Sequence, residues 1–162
     1  MITAIRTYDN SVIESFMRLP EIFKTAAEDG QKPEDFKANC QADCWLLMMC
    51  GDEFIGAYKI HALNKVTTAI HANVLPAHRK KYSHYTGLAA LQWIIDNTDY
   101  QKVVATIPVI YGNVKRFTSG FGFNQEGIST NSYLKNGRLV DQYLLGITRD
   151  EILETLKGSI AA

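Results

Sequence analysis

Apolar and polar side chains alternate over residues 2–7 with the period of a half-buried strand. Asp9 or Asn10 then offers a cap for a helix with Val12, Ile13, Phe16 and Met17 as its apolar positions. Pro20 ends that helix. A second short helix is predicted over 21–27, closed by Gly30 and followed by a polar segment, 31–39, that contains Pro33 and Phe36. The apolar run Cys44-Trp45-Leu46-Leu47-Met48-Met49-Cys50 predicts a strand, Gly51-Asp52-Glu53 a turn and 54–61 a second strand, so the pair is a predicted hairpin. A third antiparallel strand is predicted over 65–75.

Pro76 punctuates that strand. The next residues, Ala77-His78-Arg79-Lys80-Lys81-Tyr82-Ser83-His84, read as a basic turn, after which Leu88, Leu91 and Ile95 recur at helical spacing, with Ala89 and Ala90 allowing close approach to a sheet. Residues 102–107 predict a buried strand ended by Pro108, and 111–119 a short helix with Val114 and Phe117 inward. Gly120-Phe121-Gly122-Phe123 breaks that helix into a strand reaching about residue 128. Asn136-Gly137 is a hairpin signal between 132–135 and 139–147, and 150–157 is a short amphipathic helix capped by Thr148 or Asp150. The resulting order, β-α-α-β-β-β-α-β-α-β-β, is an α+β layout around a mixed, mostly antiparallel sheet flanked by helices.

At 162 residues and 46% hydrophobic composition, the chain is expected to be one domain, 1–162, with a single sizeable core. Lys+Arg and Asp+Glu are both 17, so no global field recruits nucleic acid or an anionic membrane. Any attraction for anions is local, at Arg79, Lys80 and Lys81. Cys40, Cys44 and Cys50 form an odd, bunched set, and the opening Met1-Ile2-Thr3 lacks a leader pattern, which together predict a reducing, cytoplasmic setting. The spacing of Cys40, Cys44 and His61 fits no common zinc knuckle, so buried thiols and no metal are expected.

A strand that stops at a cationic turn and feeds a helix brings backbone N–H groups, a positive dipole end and three cationic side chains together. That combination favours a phosphorylated ligand. The alternative is a solvated charge run. His71, on the same strand face as Thr67, Ala69 and Asn73, reads either as a general base or as a hydrogen-bonded strand histidine. Trp45 and Trp93 read as core.

The stretch from Pro76 through Arg79 resembles the acyl-CoA pyrophosphate loop of the GNAT acetyltransferase superfamily. Gly122-Phe123 followed by Glu126-Gly127 is similar to that family's "GF…EG", and the element order is the same. The resemblance implies a single GNAT-like domain that binds acetyl-CoA through Val74, Leu75, Arg79, Lys80, Lys81, Tyr82, Ser83, His84 and Asn113. The acetyl group would pass to a small-molecule or protein amine acceptor, with 31–39 corresponding to the segment that covers the acceptor site. Its candidate catalytic residues are His71 and Tyr111. Tyr82 and His84 fall where the family has small residues, Tyr111 where it commonly has an asparagine, and Thr118 where it has its usual tyrosine acid. More narrowly, His71-Ala72-Asn73-Val74-Leu75-Pro76, the stretch from Gly137 to Asp141 and Leu145-Gly146-Ile147-Thr148-Arg149 resemble GNAT-like proteins of short-tailed phages, some described as head-assembly or internal virion proteins. That resemblance implies a second possibility, a non-catalytic scaffold whose partners are other virion proteins.

Overall fold

The structure is a computed structural model that describes residues 1–160. Its elements follow the predicted order: β1 (Ile2–Thr7), α1 (Asn10–Met17), α2 (Pro20–Ala26), a 3-10 turn (Pro33–Asp35), β2 (Cys44–Cys50), β3 (Glu53–Ala62) and β4 (Thr67–Val74), then α3 (Pro76–Asn97), β5 (Lys102–Pro108), α4 (Gly112–Ser119), β6 (Asn124–Lys135), β7 (Arg138–Thr148) and α5 (Arg149–Ile160). The seven strands form one sheet in the order β1-β2-β3-β4-β5-β7-β6. The β4/β5 pair is parallel, whereas β1/β2, β2/β3, β5/β7 and β6/β7 are antiparallel. By internal contacts the chain divides into two compact units, Met1–His61 with Ile70–Trp93, and Ala62–Ala69 with the residues from Ile94 onward.

In the first unit, the Asp9 carboxylate accepts from the backbone N–H groups of Ser11 and Val12 and so starts α1. The buried stripe of α1, Ile13, Phe16 and Met17, joins Ile22, Cys40, Trp45 and Ala57 in a core cluster. Phe16 meets Phe54 edge to face at 5.1 Å between centroids. Successive residues of β3 point to opposite faces, so Ala57 enters this cluster while Tyr58 bonds to Thr86 on α3. Thr86, Gly87, Ala90 and Leu91 are the buried positions of α3 in this unit. Cys40 is buried but Cys44 and Cys50 are only half-buried, which corrects the expectation of three buried thiols. Burial pushes the Cys40 and Cys44 thiols up, away from the reactive thiolate.

In the second unit, Val103, Ala105 and Ile107 of β5 and Leu145 and Ile147 of β7 are buried with Phe121, Phe123, Ile152 and Leu156. A capping box starts α5: Thr148 Oγ1 accepts from the Glu151 N–H, and Glu151 accepts from the Thr148 N–H at 2.8 Å. The Arg149 guanidinium donates to the carbonyls of Ile95, Thr98 and Tyr100 and closes the end of α3. Glu126 lies over Gly146, where a Cβ would come 2.7 Å from its carboxylate, and pairs with Lys102.

Several expectations are corrected. The residues read as two strands, to about 128 and over 132–135, are one strand, β6, whose register shifts between Ser129 and Tyr133. Asn131, at φ 50°, lies inside that irregularity, and its N–H is satisfied by Asp141, so the strand resumes its pairing beyond it. Val114 is exposed rather than inward, Phe117 is half-buried, and α4 has no buried residue. Trp45 is core, but Trp93 is only half-buried.

Candidate functional site

The basic turn does not exist as a turn. Pro76 occupies the first helical position, where its missing N–H and fixed φ suit a helix start, and nothing in residues 77–85 breaks the helix. Arg79, Lys80, Lys81, Tyr82, Ser83 and His84 are therefore positions in the first turns of α3. The approach to this point is tightly built. Leu75 N–H donates to the Ile55 carbonyl at 2.9 Å, and Gly56 lets β3 pass against Asn73 and Val74, since a Cβ there would lie 2.8 Å from Val74 Cα.

The cationic side chains differ in their ties. Arg79 Nε donates to the Val74 carbonyl at 2.9 Å, folding the guanidinium back onto the strand end. Lys80 is exposed. Lys81 Nζ sits 4.6 Å from the Tyr82 ring centre, and its interaction with Tyr82 holds the ammonium above the usual lysine range. Tyr82 is half-buried and turned toward the β2–β3 hairpin, where Cys50 Sγ donates to its hydroxyl across 3.8 Å. His78 flanks it, with Nε2 3.7 Å from Glu53 Oε1. Ser83 is half-buried and its carbonyl accepts from Thr86 Oγ1. His84 is exposed against Tyr85.

His71 is exposed on β4, and the groups acting on its ring come from β3 and the residue before β2. Surrounding protein desolvates the imidazole, and Lys59 and His61 add to the effect. Asp43 opposes it, and the ring is held below the usual histidine range. Asp43 Oδ2 accepts from Lys59 Nζ at 2.9 Å, and its Oδ1 lies 3.1 Å from His61 Nδ1. Burial alone would raise the Asp43 pKa, but the bonds from Lys59 and His61 carry it below the usual carboxylate range. Sequence reasoning singled out His71 and missed Asp43 and Lys59. Their signal is the β2/β3 register, which sets Trp45 opposite Lys59 and Cys44 opposite Ile60 and so brings Asp43 to His61.

In the second unit, Tyr111 is the residue preceding α4. It is half-buried, and burial pushes its phenol up. Asn113 is exposed in the first turn of α4, and Thr118 is half-buried near its end with its carbonyl accepting from the Phe121 N–H. Segment 31–39 contributes Gln31, Lys32, Asp35, Phe36 and Lys37 to a cavity of about 490 Å³ whose apolar wall includes Met17 and Phe23. Among the described residues no cluster of three metal-ligating side chains occurs, and no helix is long and apolar enough to cross a membrane.

The arrangement of strands and helices is the GNAT fold. It is similar to spermidine N-acetyltransferase from Vibrio cholerae, solved in complex with CoA and spermine, at 15% identity and a TM-score of 0.76 over 94% of this chain and 97% of that one. A GNAT-family acetyltransferase from Bacillus anthracis is also similar, at 16% identity and a TM-score of 0.58 over 67% of each chain. The chain belongs to the family described as "Protein of unknown function (DUF2824)", which matches residues 5–158. No curated protein matches it.

Proposed function

We propose that this chain is an acetyl-CoA-binding N-acetyltransferase of the GNAT type, with the cofactor's phosphates held by the first turns of α3. The observation that carries this reading is the strand-to-helix junction. There Gly56 and the Leu75–Ile55 bond fix the end of β4, and the helix it feeds presents Arg79, Lys80 and Lys81 within one turn. The residues present suit phosphates in charge, with Arg79, Lys80 and Lys81 beside the positive end of α3, while Tyr82 is tied to Cys50 and Lys81. The cofactor would supply an acetyl thioester. His71, kept neutral by its surroundings, would take the proton of the acceptor ammonium. Tyr111 keeps its phenolic proton and is the second unit's candidate acid.

A second reading, a non-catalytic virion or head-assembly protein of a short-tailed phage, is favoured by Thr118 in place of a tyrosine acid and by Arg79, whose Nε is committed to Val74. Calorimetry with acetyl-CoA separates the two. The enzyme reading expects binding that weakens with salt. It also expects the pair Arg79→Ala and Lys81→Ala to lose about 1.5 to 3 kcal/mol per charge-assisted contact. No binding at millimolar acetyl-CoA supports the scaffold.

A further inference from the structure

The cavity of about 490 Å³ in the first unit has the size of a small-molecule pocket, and its walls are held from behind. Helix α2 lines it with Phe23, Ala26 and Ala27, at i, i+3 and i+4, and the two alanines leave open the space that larger side chains would fill. Met17 and Phe36 complete the apolar wall. Phe36 is fixed in place: its carbonyl accepts from Arg18 Nη2 at 2.8 Å, the nearby Ala38 N–H donates to Glu14 Oε1, and its ring meets Trp45 edge to face at 6.4 Å. Gln31 closes the turn 28–31, its Oε1 accepting from the Glu28 N–H at 2.9 Å. The charged lining is different in kind. Lys32, Asp35 and Lys37 are exposed, and among the described residues none of these three side chains has a hydrogen bond or ion pair with the protein. Arg18, Lys59, Lys102 and Lys157 each have one.

An apolar anion at this cavity would meet both lysines but also Asp35, and an apolar amine would meet Asp35 but also both lysines. Only a head group that carries both charges leaves none of the three opposed. We propose that the cavity binds a free α-amino acid with an aromatic or large aliphatic side chain. The side chain lies against Met17, Phe23 and Phe36, the carboxylate pairs with Lys32 and Lys37, and the ammonium pairs with Asp35. None of the lining residues is assigned to the cofactor or to proton transfer, so the site stands apart from the acetyltransferase reading.

The test is titration of the full chain with L-phenylalanine, followed by NMR at the Met17 methyl group. The methyl of Met48, buried on β2 and outside the lining, is the internal reference. Saturable movement of Met17 alone is expected. Phenylpropionate, which lacks the amine, and phenylethylamine, which lacks the carboxylate, are each expected to bind about three- to fivefold more weakly. Asp35→Asn should erase the preference for phenylalanine over phenylpropionate, and Lys32→Gln with Lys37→Gln the preference over phenylethylamine. All three positions are exposed, so these variants are expected to fold. Ala26→Leu fills the space and is expected to abolish the response. No Met17 response at millimolar phenylalanine overturns the proposal, as does equal binding of either single-charge analogue, or a preference unchanged in the charge variants. An Ala26→Leu chain that melts at higher temperature, while the unmodified chain binds nothing, identifies a packing gap and overturns it too. Calorimetry with acetyl-CoA on the same sample reads the acetyltransferase reading separately, and either can fail without the other.

Discussion

The Tyr58 hydroxyl lies 3.0 Å from Thr86 Oγ1, a buried bond that fastens α3 to β3. Thr86 Oγ1 also donates to the Ser83 carbonyl, so Thr86 keeps a partner if Tyr58 is changed and the reverse is not so. Tyr58→Phe is therefore expected to cost about 0.5 to 1.5 kcal/mol, and Thr86→Val more, about 1 to 3, because it strands a buried phenol. Burial pushes the Tyr58 phenol up to about 12, with Thr86 partly opposing. The contribution of this raised pKa is whole below pH 10 and is lost as pH rises through about 12, on the order of 2 to 3 kcal/mol. Urea melts across that window should show the loss, and Tyr58→Phe should abolish it.

Gly56→Ala places a methyl group against Asn73 and Val74, where backbone rather than a flexible side chain must yield. The expected cost is about 1 to 3 kcal/mol by denaturant titration. If the strand end positions acetyl-CoA, the folded variant also binds it more weakly by calorimetry, while a stability loss with unchanged affinity separates the junction from the ligand.

His71 is expected to titrate below the ordinary histidine midpoint of about 6.5. Its depressed pKa contributes stability that is present above pH 6.5 and lost as pH falls through the folded-state value. Lys59→Gln removes a positive neighbour and should move the NMR midpoint upward. A midpoint that stays put would leave desolvation as the cause.

Arg149→Ala uncovers three carbonyls at the end of α3, and Arg149→Lys cannot span them. A loss of about 2 kcal/mol or more is expected for alanine, with lysine recovering less than half. Amide exchange should accelerate at the C-terminal turn of α3 in both variants.

Much of the fold was legible because period and punctuation agree. The alternation over residues 2–7 and the apolar run 44–50 became β1 and β2 without adjustment. The site was less legible for two physical reasons. Charged residues after a proline look like a turn, yet Pro76 at the first helical position, followed by good helix formers, starts a helix. The second reason is the register shift between Met48 and Met49. Without it the hairpin would set Tyr58, not Lys59, opposite Trp45, and Asp43 would not face His61; a single extra residue decides which side chains share a face. No local signal in the sequence marks that bulge.

Residues 145–149 carry a further consequence. Leu145 and Ile147 fill the interior, Gly146 makes room for Glu126, Thr148 opens α5 and Arg149 closes α3. Each residue of this short phrase has a mechanical duty. Those duties belong to folding, so the phrase by itself is silent on occupation. A catalyst and a non-catalytic scaffold built on this fold would have equal use for it.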